Sequence, residues 1–198
     1  MDATDWNQRY SGGNVPAWDL GRPSPVVLRL LPVVHHPPAR VLLPGCGLGH
    51  DAKALDNRGY RVTAMDLSVQ TAERARAVNG VDVTVGDFLN SDFGGAFDLI
   101  VEHTLFGTLP TGDRDRYVAA AARALRPGGK IFGAFLNFEG KTATGPFYGT
   151  NASDLLHRFS PHFEVEQLAP SGFVFHTGGG AANGGADIPQ LEAVFVRR

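Results

Sequence analysis

Three glycines at alternate positions, Gly45, Gly47 and Gly49, follow the apolar run Val41 to Pro44. Glycine permits a sharp turn and lets backbone pass close to a ligand. The next apolar run, Arg61 to Met65, ends in Asp66-Leu67; a third, Val81 to Val85, is followed by Gly86, Asp87 and Phe88. A carboxylate about 20 residues beyond the first glycine of such a turn is placed to bond ribose hydroxyls. Asp87 can accept from an adenine amine while the Phe88 ring packs on the base. Together these positions describe a nucleoside-binding edge. Asp51, just past the turn, either complements the positive end of a helix or anchors a ligand ammonium; the residues leave both open. A fourth apolar run ends in Glu102-His103-Thr104-Leu105-Phe106. His103 is the natural general base near neutral pH, with Glu102 as the second candidate; a ligand-contacting or structural histidine is equally open. Phe106 belongs to the expected floor for a reacting group, and Arg22 could attract an anionic acceptor.

The glycine spacing separates two chemistries. A dinucleotide fingerprint reads G-x-G-x-x-G, and its third glycine lets the helix pack closely on the strand. Here that third position is His50. G-x-G-x-G with acids ending the next two strands resembles instead the class I methyltransferases that use S-adenosylmethionine, a cofactor with no pyrophosphate to cradle. A nucleotide-dependent oxidoreductase on the same fold, and a cofactor-binding domain without catalysis, are the alternatives.

These residues need a parallel sheet to bring them together. The pattern predicts strands at Arg40 to Pro44, Arg61 to Asp66, Val81 to Val85, Phe97 to Glu102, Lys130 to Asn137, Phe163 to Leu168 and Leu191 to Val196. Helices are expected over Leu48 to Arg58, from the Ser68 cap to Asn79, over Asp113 to Leu125, and over Asp154 to Phe159 with Ser153 as cap. A short helix from Pro25 to Leu31, capped by Ser24, should stop at Pro32. Strands separated by helices give right-handed parallel crossovers. The last two strands, joined only by the glycine-rich loop Thr177 to Gly185, should pair antiparallel. The expected fold is therefore α/β and Rossmann-like, a seven-stranded mostly parallel sheet with one antiparallel strand and helices on both faces. Residues 40–198 form the core of a single domain, and residues 1–39 form an N-terminal lid.

The opening Trp6 and Tyr10, then Pro16-Ala17-Trp18-Asp19-Leu20-Gly21-Arg22-Pro23-Ser24-Pro25, resembles that of the thiopurine methyltransferase superfamily. The halide/thiol (thiocyanate) branch is the nearer match. Leu43 to Asp51, Asp66-Leu67-Ser68, Gly86-Asp87-Phe88, Phe97 to Ile100 with Phe106, Leu125 to Gly129 and, more loosely, Gly145-Pro146-Phe147-Tyr148 are similar as well. The resemblance implies that the N-terminal segment folds over S-adenosylmethionine. It implies that Trp6, Tyr10, Trp18, Gly45, Asp66, Asp87 and His103 line the site. Aromatic faces suit a sulfonium cation. The implied acceptor is a small soft nucleophile: a thiol, thiocyanate or a halide. Tyr10 stands where that branch usually has Trp, and His103 where it often has Tyr.

Net charge is −2, with no block of basic residues, which speaks against a nucleic-acid face. The lone cysteine, Cys46, allows no intrachain disulfide and fits a reducing, cytoplasmic setting. No apolar run reaches the roughly 20 residues that span a bilayer. The histidines do not cluster with Cys or Asp as a metal site requires. A monomer acting on a small molecule is expected.

Overall fold

The computed structural model describes residues 2–13, 15–16, 18–139, 146–176 and 187–198. The expected glycine loop at 177–185 and the residue Gly145 lie outside them. Seven strands form one sheet: β1 (Arg40–Pro44), β2 (Arg61–Asp66), β3 (Val83–Val85), β4 (Phe97–His103), β5 (Leu125–Leu136), β6 (Phe163–His176) and β7 (Asp187–Arg197). Their order is β3-β2-β1-β4-β5-β7-β6. β7 runs antiparallel to both its neighbours, and the remaining pairs are parallel. The order reverses between β1 and β4, where the carboxyl ends of an open sheet leave a crevice. Six α-helices accompany the sheet among the described residues: α1 (Ala3–Tyr10), α2 (Pro25–Val34), α3 (His50–Asp56), α4 (Val69–Asn79), α5 (Arg114–Ala124) and α6 (Ala152–Phe159). None is long and apolar enough to cross a membrane.

Alternation along the strands sorts their side chains into two cores. Leu42, Ile100, Ile131 and Phe135 pack with Tyr117, Leu155 and Phe159 of α5 and α6. Val41, Leu43, Leu99, Val101 and Phe132 pack on the other face with Val27, Leu30 and Leu55 of α2 and α3. Each face thus takes every second residue, as a sheet covered on both sides requires.

The boundaries differ from expectation where tertiary contacts outweigh local signals. α2 runs past Pro32 to Val34 because Leu30, Leu31 and Val34 continue its buried face. α3 starts at His50 rather than Leu48, since the glycine turn extends to Gly49. Asn151, not Ser153, caps α6 by accepting from the Asp154 N–H at 2.9 Å. β5 begins at Leu125, and Arg126 to Gly129 fall in a register shift against β4. β6 extends to His176; as an edge strand it tolerates Pro170 without losing a ladder bond on its open side. α1 was not foreseen. Asp2 and Asp5 cap each other's backbone at its start, and its Asn7 accepts from the Ser68 hydroxyl at 2.8 Å.

Alternation also separates the two candidate bases at the end of β4. His103 shares the parity of Leu99 and Val101, and Glu102 that of Ile100. Glu102 is fully buried on the α5 side, where its Oε2 accepts from the Tyr117 hydroxyl at 2.5 Å and its Oε1 from the Phe106 N–H at 2.9 Å. It anchors the turn after β4. Burial pushes its carboxyl up to about 7, against the hydrogen bonds from Tyr117 and Phe106. Behind it, β5 approaches so closely that a Cβ on Gly133, whose φ is +147°, would lie 1.8 Å from the Glu102 carbonyl oxygen.

Two predictions follow from this corner. A raised carboxyl pKa means the ionised group destabilises the fold, so stability falls as pH rises through roughly 4.5 to 7, by about 3 kcal/mol. Glu102→Gln keeps the acceptor for Phe106 and removes the charge. Its melting temperature relative to wild type should therefore rise by roughly 5 °C or more between pH 5 and pH 8; a pH-independent difference would contradict the assignment. Gly133→Ala should cost more than about 4 kcal/mol, read by denaturant unfolding, because backbone rather than a pliable side chain blocks the new methyl.

Candidate functional site

The carboxyl ends of β1, β2 and β4 open into a cavity of about 440 Å³, within the range of small-molecule sites. The glycine turn forms one wall. Gly45, Gly47 and Gly49 all have left-handed φ, between +55° and +80°, where L side chains are strained. A Cβ on Gly45 would also meet Leu105 Cδ1 at 2.9 Å. Gly49 does not line the cavity; it caps α3 and packs beside Val81. The expectation that it contacts the cofactor is therefore corrected to a structural role in the turn.

Asp66, at the end of β2, accepts from the Gly47 N–H at 3.2 Å through Oδ2 and from the Ser68 N–H at 3.0 Å through Oδ1. It lines the cavity beside Leu67. Burial raises its carboxyl to about 6, opposed by those backbone donors. Asp87 lines the cavity too, accepting from the Leu89 N–H at 2.9 Å and the Asn90 amide at 2.6 Å. Phe88 lines the cavity and meets Tyr117 edge to face at 5.3 Å.

The N-terminal segment supplies an aromatic wall. Trp6 and Trp18 meet edge to face at 6.1 Å, and Trp18 meets Phe147 at 5.8 Å. The Trp18 indole N–H donates to the Tyr10 hydroxyl at 3.3 Å. That hydroxyl would stand 3.5 Å from a Cβ on Gly47, so Tyr10 lies beside the glycine turn. Burial raises the Tyr10 pKa far above the ordinary phenol value. Arg22, exposed at the lid's end, lines the cavity as well.

His103 reaches the cavity from the end of β4. Its Nδ1 lies 2.7 Å from Asp51 Oδ2, and its Nε2 is buried without a hydrogen-bond partner among the described residues. Asp51 is itself buried, and its Oδ1 accepts from the Ser24 N–H at 2.7 Å. Each of its oxygens thus has a partner within the protein, and Asp51 also lines the cavity. Burial disfavours the charged imidazole, yet the adjacent Asp51, with Glu102 and Asp19 further off, holds the His103 pKa above its ordinary value. Thr104 follows with φ +67°, a strained conformation for a non-glycine residue, and is 8% exposed in the cavity wall.

Glu102 and Phe106 are not in the cavity. Phe106 is fully buried among Tyr117, Phe135 and Phe159. Leu105 and Thr108 line the cavity in its place. The substrate role expected of Phe106 and the base role of Glu102 are therefore corrected to core packing and loop anchoring. Spacing alone could have flagged the error at 102, since neighbours on a strand face opposite sides. The Asp51–His103 pair, 52 residues apart in the chain, carries no local signal.

These groups fit an adenosyl sulfonium better than a pyrophosphate. The cavity is lined by the carboxylates Asp66 and Asp87, by the aromatic residues Trp6, Tyr10 and Trp18, and by His103. A buried carboxylate, Asp51, occupies the first turn of α3, where a phosphate would otherwise bind.

Comparison with known proteins bears on the same point. A probable thiol methyltransferase 2 of Arabidopsis thaliana is 30% identical over 156 residues, covering 75% of this chain and 68% of that one. A thiocyanate methyltransferase 1 of Brassica oleracea is 29% identical over 133 residues, covering 64% of this chain and 58% of that one. Among solved structures, one described as "Conversion of a Disulfide Bond into a Thioacetal Group during Echinomycin Biosynthesis" superposes with a TM-score of 0.79. It is 24% identical and covers 98% of this chain and 92% of that one, a likeness of fold. The family model described as "Thiopurine S-methyltransferase (TPMT)" matches residues 1–183. The chain therefore belongs to the thiopurine S-methyltransferase family, within the methyltransferases that use S-adenosylmethionine.

Proposed function

We propose that this enzyme methylates a small soft nucleophile that arrives protonated, a thiol foremost, with His103 as general base and Asp51 as its positioning residue. The observation that carries the reading is the buried, unpartnered Nε2 of a histidine whose Nδ1 faces a carboxylate at 2.7 Å. Asp51 fixes Nδ1 as the protonated nitrogen, so the neutral ring offers its lone pair at Nε2. When bound, S-adenosylmethionine supplies an electrophilic methyl on a sulfonium that leaves as a neutral thioether. Gly45 and Gly47 would let backbone approach it, Asp66 would accept from the ribose, Asp87 from the adenine amine, and Trp6, Tyr10 and Trp18 would cover the cation. Alignment of donor and acceptor contributes most of the rate, on the order of 7–11 kcal/mol. Removal of the S–H proton by His103 Nε2 contributes a further factor of about 10² to 10⁴. The proton goes to Nε2 while the sulfur lone pair forms the new bond to carbon.

A second reading has an anionic acceptor, thiocyanate or a halide, drawn in by Arg22, which lines the cavity. Such an acceptor has no proton to lose, so the dyad would stand idle. The relatives' names support both readings, and the dyad favours the first.

Two experiments test this. In the first, kcat/KM for a neutral thiol should rise with pH and level off above a pKa higher than the ordinary 6.5, because the base must be neutral. Asp51→Asn should lower the rate by 10²-fold or more and move that limb to lower pH, whereas thiocyanate, if turned over at all, should show no such limb. An unmoved limb would identify the thiol's own ionisation as its source. In the second, S-adenosylhomocysteine should raise the melting temperature, and its affinity should weaken as pH falls below about 6, where Asp66 protonates. Asp66→Asn should cost about 10- to 100-fold in affinity and abolish that pH dependence.

A further inference from the structure

The cofactor brings an α-ammonium as well as a sulfonium, and a buried ammonium needs a paired acceptor. Six aspartates line the cavity: Asp2, Asp19, Asp51, Asp66, Asp87 and Asp113. Five are committed or remote. Asp51 holds the Ser24 N–H and His103. Asp66 takes two backbone N–H groups where the ribose is read. Asp87 caps its own turn through both oxygens. Asp2 is exposed and caps α1, and Asp113 pairs with Arg116.

Asp19 differs. Its side chain is only 7% exposed, yet it lines the cavity from the lid. Oδ1 accepts from the Gly21 N–H at 2.7 Å and lies 3.2 Å from His50 Nε2. No described residue donates to Oδ2. His50 is itself set by Asn79, whose amide lies 3.2 Å from Nδ1. With Nδ1 accepting, Nε2 carries the proton and faces Asp19, although the two are not aligned for a hydrogen bond. Asp19 is thus a buried carboxylate, braced on one oxygen and open on the other among the described residues, in a wall it shares with Trp6, Tyr10 and Trp18.

We propose that Asp19 is the counter-ion for the α-ammonium of S-adenosylmethionine, held in place by Gly21 and His50. The inference rests on the cofactor assigned above and extends it to a lid residue. It makes the lid a reader of the cofactor's amino-acid end rather than only a cover. It also gives the lid a reason to close on charged cofactor and not on a bare nucleoside.

The test is binding, not turnover. Isothermal titration calorimetry would compare S-adenosylhomocysteine with the analogue in which hydrogen replaces the α-ammonium. Wild type should prefer the former by about 10- to 100-fold, the span of a charge-assisted hydrogen bond. Asp19→Asn should erase that preference by weakening S-adenosylhomocysteine alone, and Asp19→Glu should restore part of it. Equal weakening of both ligands would overturn the proposal, because it would mean Asp19 only shapes the lid. Absence of a preference in wild type would overturn it without any variant. Failure of wild type to bind either ligand would instead defeat the cofactor site as a whole, a distinguishable outcome.

Discussion

A buried carboxylate ties the N-terminal segment to the sheet. Asp51 receives the Ser24 N–H from the lid on one oxygen and His103 Nδ1 from the sheet on the other. A buried charge of this kind is tolerated only when its partners are in place. Moving the lid away would strip one donor from it, and turning His103 would strip the other. The position of His103 and the seating of the N-terminal segment are therefore one structural fact. Asp51 can occupy that place because the glycine turn ends at Gly49 and α3 begins at His50, which puts Asp51 in the first helical turn, where the dipole favours an anion.

The lid is fixed at a second place by similar means. Asn7 accepts from the Ser68 hydroxyl at 2.8 Å, and the Ser68 N–H donates to Asp66 at 3.0 Å. The residue that caps α4 thus links the lid to the carboxylate at the end of β2. Both carboxylates that frame the cavity are bonded, directly or through one residue, to the first 24 residues. Residues remote from the cavity act through rigidity. Glu102 pins the turn after β4 through Tyr117 and the Phe106 N–H. Arg114, 1% exposed, donates to the carbonyls of Tyr148 and Gly149 and pairs with Asp154, which holds the segment that carries Phe147 into the cavity wall.

Much of this was legible in the chain. β1 and β2, the Ser68 cap and the left-handed glycine turn follow from local patterns: apolar runs bounded by glycine, and polar caps before helical segments. The parallel pairing of the sheet followed from alternation of strands and helices. Asp66 and Asp87 were legible as cavity residues because they follow strand ends, a position fixed by topology. The rest depended on three dimensions. The Asp51–His103 and Asp19–His50 pairs join residues far apart in sequence. Phe106 looked like a cavity residue by position, but the turn after β4 rotates it into the core and presents Leu105 instead. The continuation of the edge strand β6 past Leu168 was hidden by Pro170, which an edge tolerates and a central strand would not.

The central claim is that His103, oriented by Asp51, is the group that meets the acceptor's proton. The most direct measurement is a crystal structure with S-adenosylhomocysteine and a small thiol bound together. The account predicts the thiol sulfur within about 3.5 Å of His103 Nε2, with the Asp51 contact to Nδ1 intact and the Trp18 ring alongside. A thiol sulfur lodged against Arg22, with His103 turned away from it and released from Asp51, would contradict the account.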